Sequence, residues 1–459
     1  MNFDSVFFIS CFLPVAAVLY WVIPGLRGKN ALLLVFSLLF YSFAGLSSLL
    51  MLVALALVNY LLGRLIRSGR GAKAATVAGI TLNILFLGVF KYLNFLLSQV
   101  LGLPEVSLGL AVPLGISFFV FKSISYLADI RRDPETAAAG FADFLLYISF
   151  FPQIVTGPIA RFRDFGPQLK NRTHSTASAA SGIKRFIAGL GKKLILSGIL
   201  GTMADSIFAL DGTVLSAPLA WLGAVGYCLQ LYFDFSGYTD MAIGLGAFFG
   251  FTTVENFDHP YIALSIGDFW RRWHISLSSW FRVYVYIPLG GNRKGKLRAG
   301  INKSIVFLLC GLWHGASWTF LLWGIWHGAF SLLESTGIIP TKKLAKKPVL
   351  GHIYTLFVVL IGFVMFRAGS VGQGFTFLAA MFTSFRAGTA SIVALHQIVT
   401  AEALVMLVLG CLLCLPLPAK ITKNAIWQKL SYAGSVLLLV ISIIALAAGG
   451  FAPSIYAGF

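Results

Sequence analysis

The sequence predicts an all-α, polytopic integral membrane protein with about 11–13 membrane helices, and three observations carry that reading. Of its 459 residues 58% are hydrophobic and only 11% charged, with a mean hydropathy of +0.86; soluble domains carry about 25% charged residues. Apolar runs of span length recur along the whole chain, and a spanning helix needs roughly 20 such residues. The basic residues fall in short loops between those runs.

Taken in order, the spans are expected near 5–23, 30–47, 49–66, 75–99, 112–130, 183–208, 216–236, 304–316, 318–335, 350–367, 400–417 and 431–450. Met1–Ile23 lacks a positive n-region and a small-residue cleavage site, so it reads as a first membrane helix rather than a cleaved signal. The loops with Arg27/Lys29, Arg64–Lys73, Arg131/Arg132, Arg161–Lys193, Arg293–Lys303, Lys342–Lys347 and Lys420–Lys429 mark one side. Those near 46–48, 100–111, 210–216 and 368–399 mark the other. Basic loops stay cytoplasmic, which puts both termini outside. The chain reads as a single membrane domain, 1–459.

Two regions do not read as simple spans. Phe141–Ile159 is apolar but broken by Pro152, Gly157 and Pro158. Phe251–Gly291 mixes aromatic residues with Asp258, His259, Asp268, Arg271, Arg272 and Arg282. Such segments are tolerated at membrane depth only when buried in protein or lining a wet cavity. Both are expected to be re-entrant or interfacial and to wall a funnel or tunnel.

The net charge of +19 would suggest nucleic acid in a soluble protein. Here the positive-inside pattern explains it, with membrane lipids as the contact and no nucleic acid. The five cysteines lie in apolar runs, and Cys411-x-x-Cys414 has no neighbouring His or acidic ligand, so no metal is expected. No P-loop, dinucleotide fingerprint, zinc HExxH or GxSxG elbow occurs.

Trp313-His314-Gly315 lies inside the apolar run 305–320, and an ionisable group at that depth reads as functional. Its bland alternative is a core histidine bonded between helices. His274 lies forty residues earlier, in Trp270-Arg271-Arg272-Trp273-His274. On a helix, Trp270, His274 and Ser278 would share a face. Arg271 and Arg272 suit phosphate groups; equally, they face lipid phosphates with His274, or Asp268 bridges Arg272 at i, i+4. Asp234 and Asp240 interrupt an apolar run, where a carboxylate orients a histidine, pairs with an arginine, or forms a structural ion pair. The echo Ile325-Trp-His-Gly-Ala329 sets His327 thirteen residues after His314, about 220° apart on one helix, so the two are not expected to share a site.

Five segments together carry a resemblance: Phe151-Pro-Gln-Ile-Val-Thr-Gly-Pro-Ile-Ala-Arg161, Gln230-Leu-Tyr-Phe-Asp-Phe-Ser-Gly-Tyr-Thr-Asp240, Asp268-Phe-Trp-Arg-Arg-Trp-His-Ile-Ser-Leu-Ser278, Tyr286-Ile-Pro-Leu-Gly-Gly-Asn-Arg293 and Gly311-Leu-Trp-His-Gly-Ala316. In this order the chain resembles the membrane-bound O-acyltransferases, and most of all the bacterial subgroup containing the alginate O-acetyltransferase membrane subunit. The resemblance places an acyltransferase core at 110–330, flanked by membrane helices at 1–109 and 331–459. It implies His314 as the signature histidine and His274 as a second active-site residue. Arg271, Arg272, Trp313, Asp234 and Gln153 are substrate-binding candidates; Gln153 and Arg161 are expected to shape the funnel, the bland alternative being that their segment is a Pro/Gly-kinked structural turn.

The expected chemistry is transfer of an acetyl group from cytoplasmic acetyl-CoA, a co-substrate with no bound cofactor. The acceptor is a hydroxyl on a periplasmic SGNH-type partner or a polysaccharide, across a bacterial inner membrane. A neutral imidazole takes the hydroxyl proton near pH 7. D-alanyl transfer from a carrier protein toward teichoic acid is the nearest alternative. A lipid-linked sugar transporter or flippase, or a non-catalytic secretion scaffold, are alternatives of other classes.

Overall fold

In a computed structural model the chain is described over residues 1–104, 112–418 and 424–449, and no β-strand occurs among them. Lys420, Lys423, the core of the expected 100–111 loop and the C-terminal end whose side was expected to be outside all lie outside the described residues.

Every expected span carries a helix. The first is Leu13–Val22, entered through a π turn at Phe8–Phe12, followed by Leu26–Ser42, Leu46–Arg67, Ala72–Asn94 and Ile116–Arg132. The later ones include Ala217–Phe248, Gly295–His314, Trp318–Thr336, Pro348–Arg367, Ala401–Leu413 and Ala425–Ala447. Among the described residues, five helical segments taken alone are long and apolar enough to cross a bilayer: Leu46–Arg67, Ala72–Val100, Thr176–Phe208, Pro348–Arg367 and Ile426–Ala447. A sixth candidate is the pair Thr389–Ile398 and Ala401–Leu413, bent by 70°. The remaining apolar helices are shorter or carry polar residues of their own, so they depend on neighbours for solvation.

The chain divides into two compact units. The first holds residues 1–188 and 238–255. Phe3, Phe8, Phe12, Phe40 and Phe151 cluster in its core, with ring centroids 5.0–6.3 Å apart. Residues 150–159 have no helical ladder yet are buried throughout. Several of the polar groups there are met by protein. Phe151 N donates to Ser37 Oγ (3.1 Å), and Tyr147 Oη donates to Ala160 O (2.9 Å). Lys122 Nζ donates to Tyr147 O (3.0 Å) and Gln153 Oε1 (3.4 Å). The irregular stretch is thus backbone buried in protein, the condition under which membrane proteins tolerate it. Gly115 has φ +68°, and a Cβ there would strike Ile154 O, so glycine is required. Helices Thr176–Gly191 and Ala217–Phe248 touch at Gly182 and Gly244, where a Cβ on either would lie 2.5 Å from the other's carbonyl oxygen.

The second unit holds the described residues within 189–237 and 256–449. Its centre is a hairpin of Gly295–His314 and Trp318–Thr336. Gly311 meets Phe320 O, Gly324 meets Phe307 O, and Gly328 meets the backbone of Ser304. Ser304 Oγ donates to Gly328 O (2.8 Å). Small residues let the backbones approach, and the close contact fixes the end of the first helix where His314 sits. Gly324→Val would place its Cβ about 2.6 Å from backbone that cannot step aside. The expected loss is at least the ~1–3 kcal/mol typical of overpacking, read as a lower unfolding temperature of the purified protein in detergent.

Candidate active site

His314 is the last residue of its helix and is buried. Aromatic edges hold the ring: Trp313 at 5.0 Å, Trp323 at 5.2 Å and Phe366 at 5.0 Å between centroids. A Cβ on the next residue, Gly315, would meet the Phe320 ring at 2.5 Å, so the chain turns there on glycine.

His274 is held differently. The continuous helix that the i, i+4 spacing suggests is interrupted, with one helix at Ile266–Arg272 and another at Ile275–Phe281. His274 lies between them in the left-handed region, φ 45° and ψ 55°. Few non-glycine residues sit there, and the strain is of order 1–3 kcal/mol. Asn256 compensates. Its Oδ1 accepts from Ser276 N (3.0 Å), Ser276 Oγ (2.9 Å) and His274 Nδ1 (3.1 Å), and its backbone carbonyl accepts from Ile275 N (2.9 Å). A carbonyl oxygen only accepts, so the His274 proton sits on Nδ1 and the neutral ring keeps its lone pair on Nε2. That Nε2 is buried with no protein hydrogen-bond partner.

Both imidazoles line one cavity of about 960 Å³. Trp270, Phe307 and Cys310 line the same space. Arg271, Arg282, Arg293 and Lys303 reach it as cations, and Glu334 is the one carboxylate among its lining residues. The Glu334 carboxylate accepts from Ile266 N (2.7 Å), Gly267 N (2.9 Å) and Tyr354 Oη (3.1 Å), which anchors the start of the short helix bearing Trp270 and Arg271. Trp270, His274 and Ser278 all face the cavity even though the helix breaks between them.

The sequence-predicted residues separate. Arg271 lines the cavity with a mostly exposed side chain and touches Asp268 at 3.2 Å. Arg272 is not a lining residue; it bridges Asp268 (3.3 Å) and Asp258 (3.2 Å). Trp313 lies behind the cavity wall, between the two histidine rings, 5.9 Å from His274 and 5.0 Å from His314. Asp234 pairs with Lys193 at 2.5 Å, both buried, while the neighbouring Phe235 ring stands 4.7 Å from His274. Gln153 belongs to the first unit, with Lys122 and Thr253. His327 is fully buried against Trp270 (5.0 Å) and Trp323 (5.1 Å), one ring removed from His314. His259 Nδ1 contacts Cys414 O at 3.1 Å. Among the described residues no group of three or more His, Cys, Asp or Glu could hold a metal ion.

Asn256, Glu334, Arg282, Arg293 and Lys303 are site residues that sequence reasoning did not single out. The signals available were the charged segment Phe251–Gly291, which holds Asn256 and Arg282, and the basic run Arg293–Lys303, taken as a mark of one membrane side.

A membrane enzyme with two buried imidazoles on a cation-rimmed cavity is what this geometry describes, and known proteins define its class. The description "MBOAT, membrane-bound O-acyltransferase family" matches residues 36–371, and the chain belongs to that family. It is therefore a multi-pass membrane acyltransferase. It is 39% identical to "Probable alginate O-acetylase AlgI" of Azotobacter vinelandii over 394 residues, 83% of this chain and 78% of that protein. Similarity to the "Peptidoglycan O-acetyltransferase" of Helicobacter pylori is 37% over 356 residues, 69% of this chain and 67% of that one. The "Teichoic acid D-alanyltransferase" of Bacillus subtilis matches at 32% over 213 residues, 44% of this chain and 53% of that one.

Two substitutions test how the site is held. Asn256→Ala removes the acceptor that fixes the His274 tautomer and its left-handed turn. Turnover is expected to fall about 10- to 100-fold, equivalent to ~1.4–2.7 kcal/mol, with the protein still folded by circular dichroism. Asp234→Ala removes the carboxylate that faces the buried Lys193 ammonium and is expected to destabilise by about 3–5 kcal/mol. The paired change Asp234→Leu with Lys193→Met is expected to recover the unfolding temperature, which separates a structural pair from a catalytic carboxylate.

Proposed function

We propose that this acyltransferase moves an acetyl group from cytoplasmic acetyl-CoA to a hydroxyl on the far side of a bacterial inner membrane, for O-acetylation of an exported polysaccharide. The observation that carries the reading is the shared cavity of His274 and His314 with its rim of arginine and lysine. Guanidinium groups pair with phosphate oxygens bidentately, so Arg271, Arg282 and Arg293 suit the phosphates of coenzyme A while the thioester reaches the buried end. Loops rich in Lys and Arg are retained in the cytoplasm, which sets the donor side.

The acceptor oxygen attacks the thioester carbonyl carbon as its proton passes to the His314 imidazole. The tetrahedral intermediate collapses, the carbon–sulfur bond breaks, and the proton is returned to the leaving thiolate. The products are an ester and free coenzyme A. His274, with Nδ1 committed to Asn256, presents Nε2 to the thioester or the departing sulfur. No nucleophile elbow occurs in the sequence, so direct transfer between two bound substrates is favoured over an acyl-enzyme. The names of two similar proteins, alginate O-acetylase and peptidoglycan O-acetyltransferase, support a polysaccharide as final acceptor. Resemblance further suggests an SGNH-type periplasmic protein as the immediate acceptor. D-alanyl transfer has weaker support, because the D-alanyltransferase match covers less than half the chain.

Reconstituted protein is expected to transfer isotope-labelled acetyl from acetyl-CoA, with His314→Ala slower by about 10²–10⁴-fold, the usual contribution of general acid–base catalysis. Wild-type rates in that variant would remove the proposal. Arg293→Gln is expected to raise KM for acetyl-CoA by up to about tenfold, ~1.4 kcal/mol, while kcat changes little. Transfer from a D-alanyl carrier protein but not from acetyl-CoA would favour the second reading.

A further inference from the structure

Three basic residues of the first unit play no part in the acyl-transfer reading. Lys29 opens the helix Leu26–Ser42, and Arg172 and His174 lie in the link between Phe162–Asn171 and Thr176–Gly191. Tyr20 joins them. Its hydroxyl donates to Phe249 O (2.5 Å) and accepts from Arg172 Nε (3.2 Å) and from the His174 imidazole (3.1 Å). Lys29 Nζ lies 4.7 Å from the Tyr20 ring centroid and 5.6 Å from that of Trp21.

The charges are not compensated. Arg172 is only 7% exposed; Nη1 donates to Asn30 Oδ1 (2.5 Å), and Nη2 has no hydrogen-bond partner in the protein. Among the described residues no carboxylate pairs with Lys29, Arg172 or His174, whereas Arg185, in the following helix, has both Asp240 (2.8 Å) and Glu255 (2.5 Å). Burial, and then the charges of Lys29 and Arg172, pull the His174 pKa down to about 4. A buried guanidinium with the part-exposed Lys29 ammonium beside it and no carboxylate partner calls for an anion.

The surroundings indicate where that anion comes from. The helix Leu13–Val22 exposes Val15, Val18, Leu19, Trp21 and Val22. This apolar face ends at the cluster with a tryptophan, the residue type enriched at the level of lipid headgroups. Lys29 and His174 are themselves part-exposed beside it. A soluble anion would gain nothing from that face; a phospholipid would lay its acyl chains along it.

We propose that Lys29, His174 and Arg172 form a binding site for the phosphate of an anionic phospholipid. Lys29 supplies a mobile ammonium, His174 an imidazole that becomes protonated against the anion, and Arg172 the fixed field behind them. The full-length protein in detergent is titrated with phosphatidylglycerol, phosphatidylcholine or inorganic phosphate, with bound lipid counted by native mass spectrometry and unfolding temperature read in parallel. Phosphatidylglycerol is expected to bind and to raise the unfolding temperature more than the other two. Lys29→Gln and His174→Gln, tested separately, are each expected to weaken phosphatidylglycerol about five-fold, as for loss of one cation near an anionic lipid, with unfolding in phosphatidylcholine unchanged. Phosphatidylglycerol binding as tight in both variants as in the wild type would overturn the site. Equal stabilisation by inorganic phosphate would overturn its assignment to lipid.

Discussion

A polar group inside apolar protein must find its partner there or face a wet cavity, and the second unit is arranged around that requirement. Asn256 gathers three donors on one oxygen. Glu334 takes two successive backbone N–H groups and a tyrosine hydroxyl. Asn302 donates to the Gly291 carbonyl (3.0 Å) and so closes the irregular segment onto the hairpin. Lys193 and Asp234 settle each other. Exceptions remain at Asn302 Oδ1 and at both His327 ring nitrogens, while His274, whose Nε2 is also unpartnered, lines the cavity.

The spans were legible because an apolar run of bilayer length has few alternative uses. Their ends were less so, for a physical reason. The run beginning at 216 reads as ending near 236, where Asp234 and Asp240 interrupt it, yet the helix continues to Phe248. Lys193 stands against the first carboxylate and Arg185 against the second. Those partners lie 41 and 55 residues away along the chain, and no local pattern reports them. The helix ending at His314 likewise begins at Gly295, nine residues before the expected span, because Lys296 and Arg298 are exposed on its first turns. Pro152, Gly157 and Pro158 correctly marked a segment without a helical ladder.

In the site, the histidines were legible as residue types out of place in apolar sequence. Which neighbour faces them was not. Arg271 and Arg272 are adjacent and chemically identical, and only the direction of each side chain sends one to the cavity and the other to Asp258 and Asp268. The i, i+4 pattern of Trp270, His274 and Ser278 gave the right common face from the wrong local geometry. A left-handed residue between two short helices turns the chain but leaves these three side chains on the same cavity. Such a residue is expected to be glycine or asparagine; finding histidine there is intelligible only once the Asn256 oxygen and its donors are known.

The two imidazoles are held by unlike means, and the difference follows from how buried polarity is satisfied. His314 is placed by shape: glycines bring two helices to backbone contact, and aromatic edges fill the space around the ring. That arrangement leaves the Trp323 indole N–H buried without a hydrogen-bond partner. His274 is placed by hydrogen bonds against backbone strain, which fixes a tautomer as well as a position. A group that must present a lone pair in a fixed direction needs the second kind of support, because packing constrains where a ring lies and not which nitrogen carries the proton. Substitutions around His314 should therefore act through volume, and those around His274 through donors and acceptors.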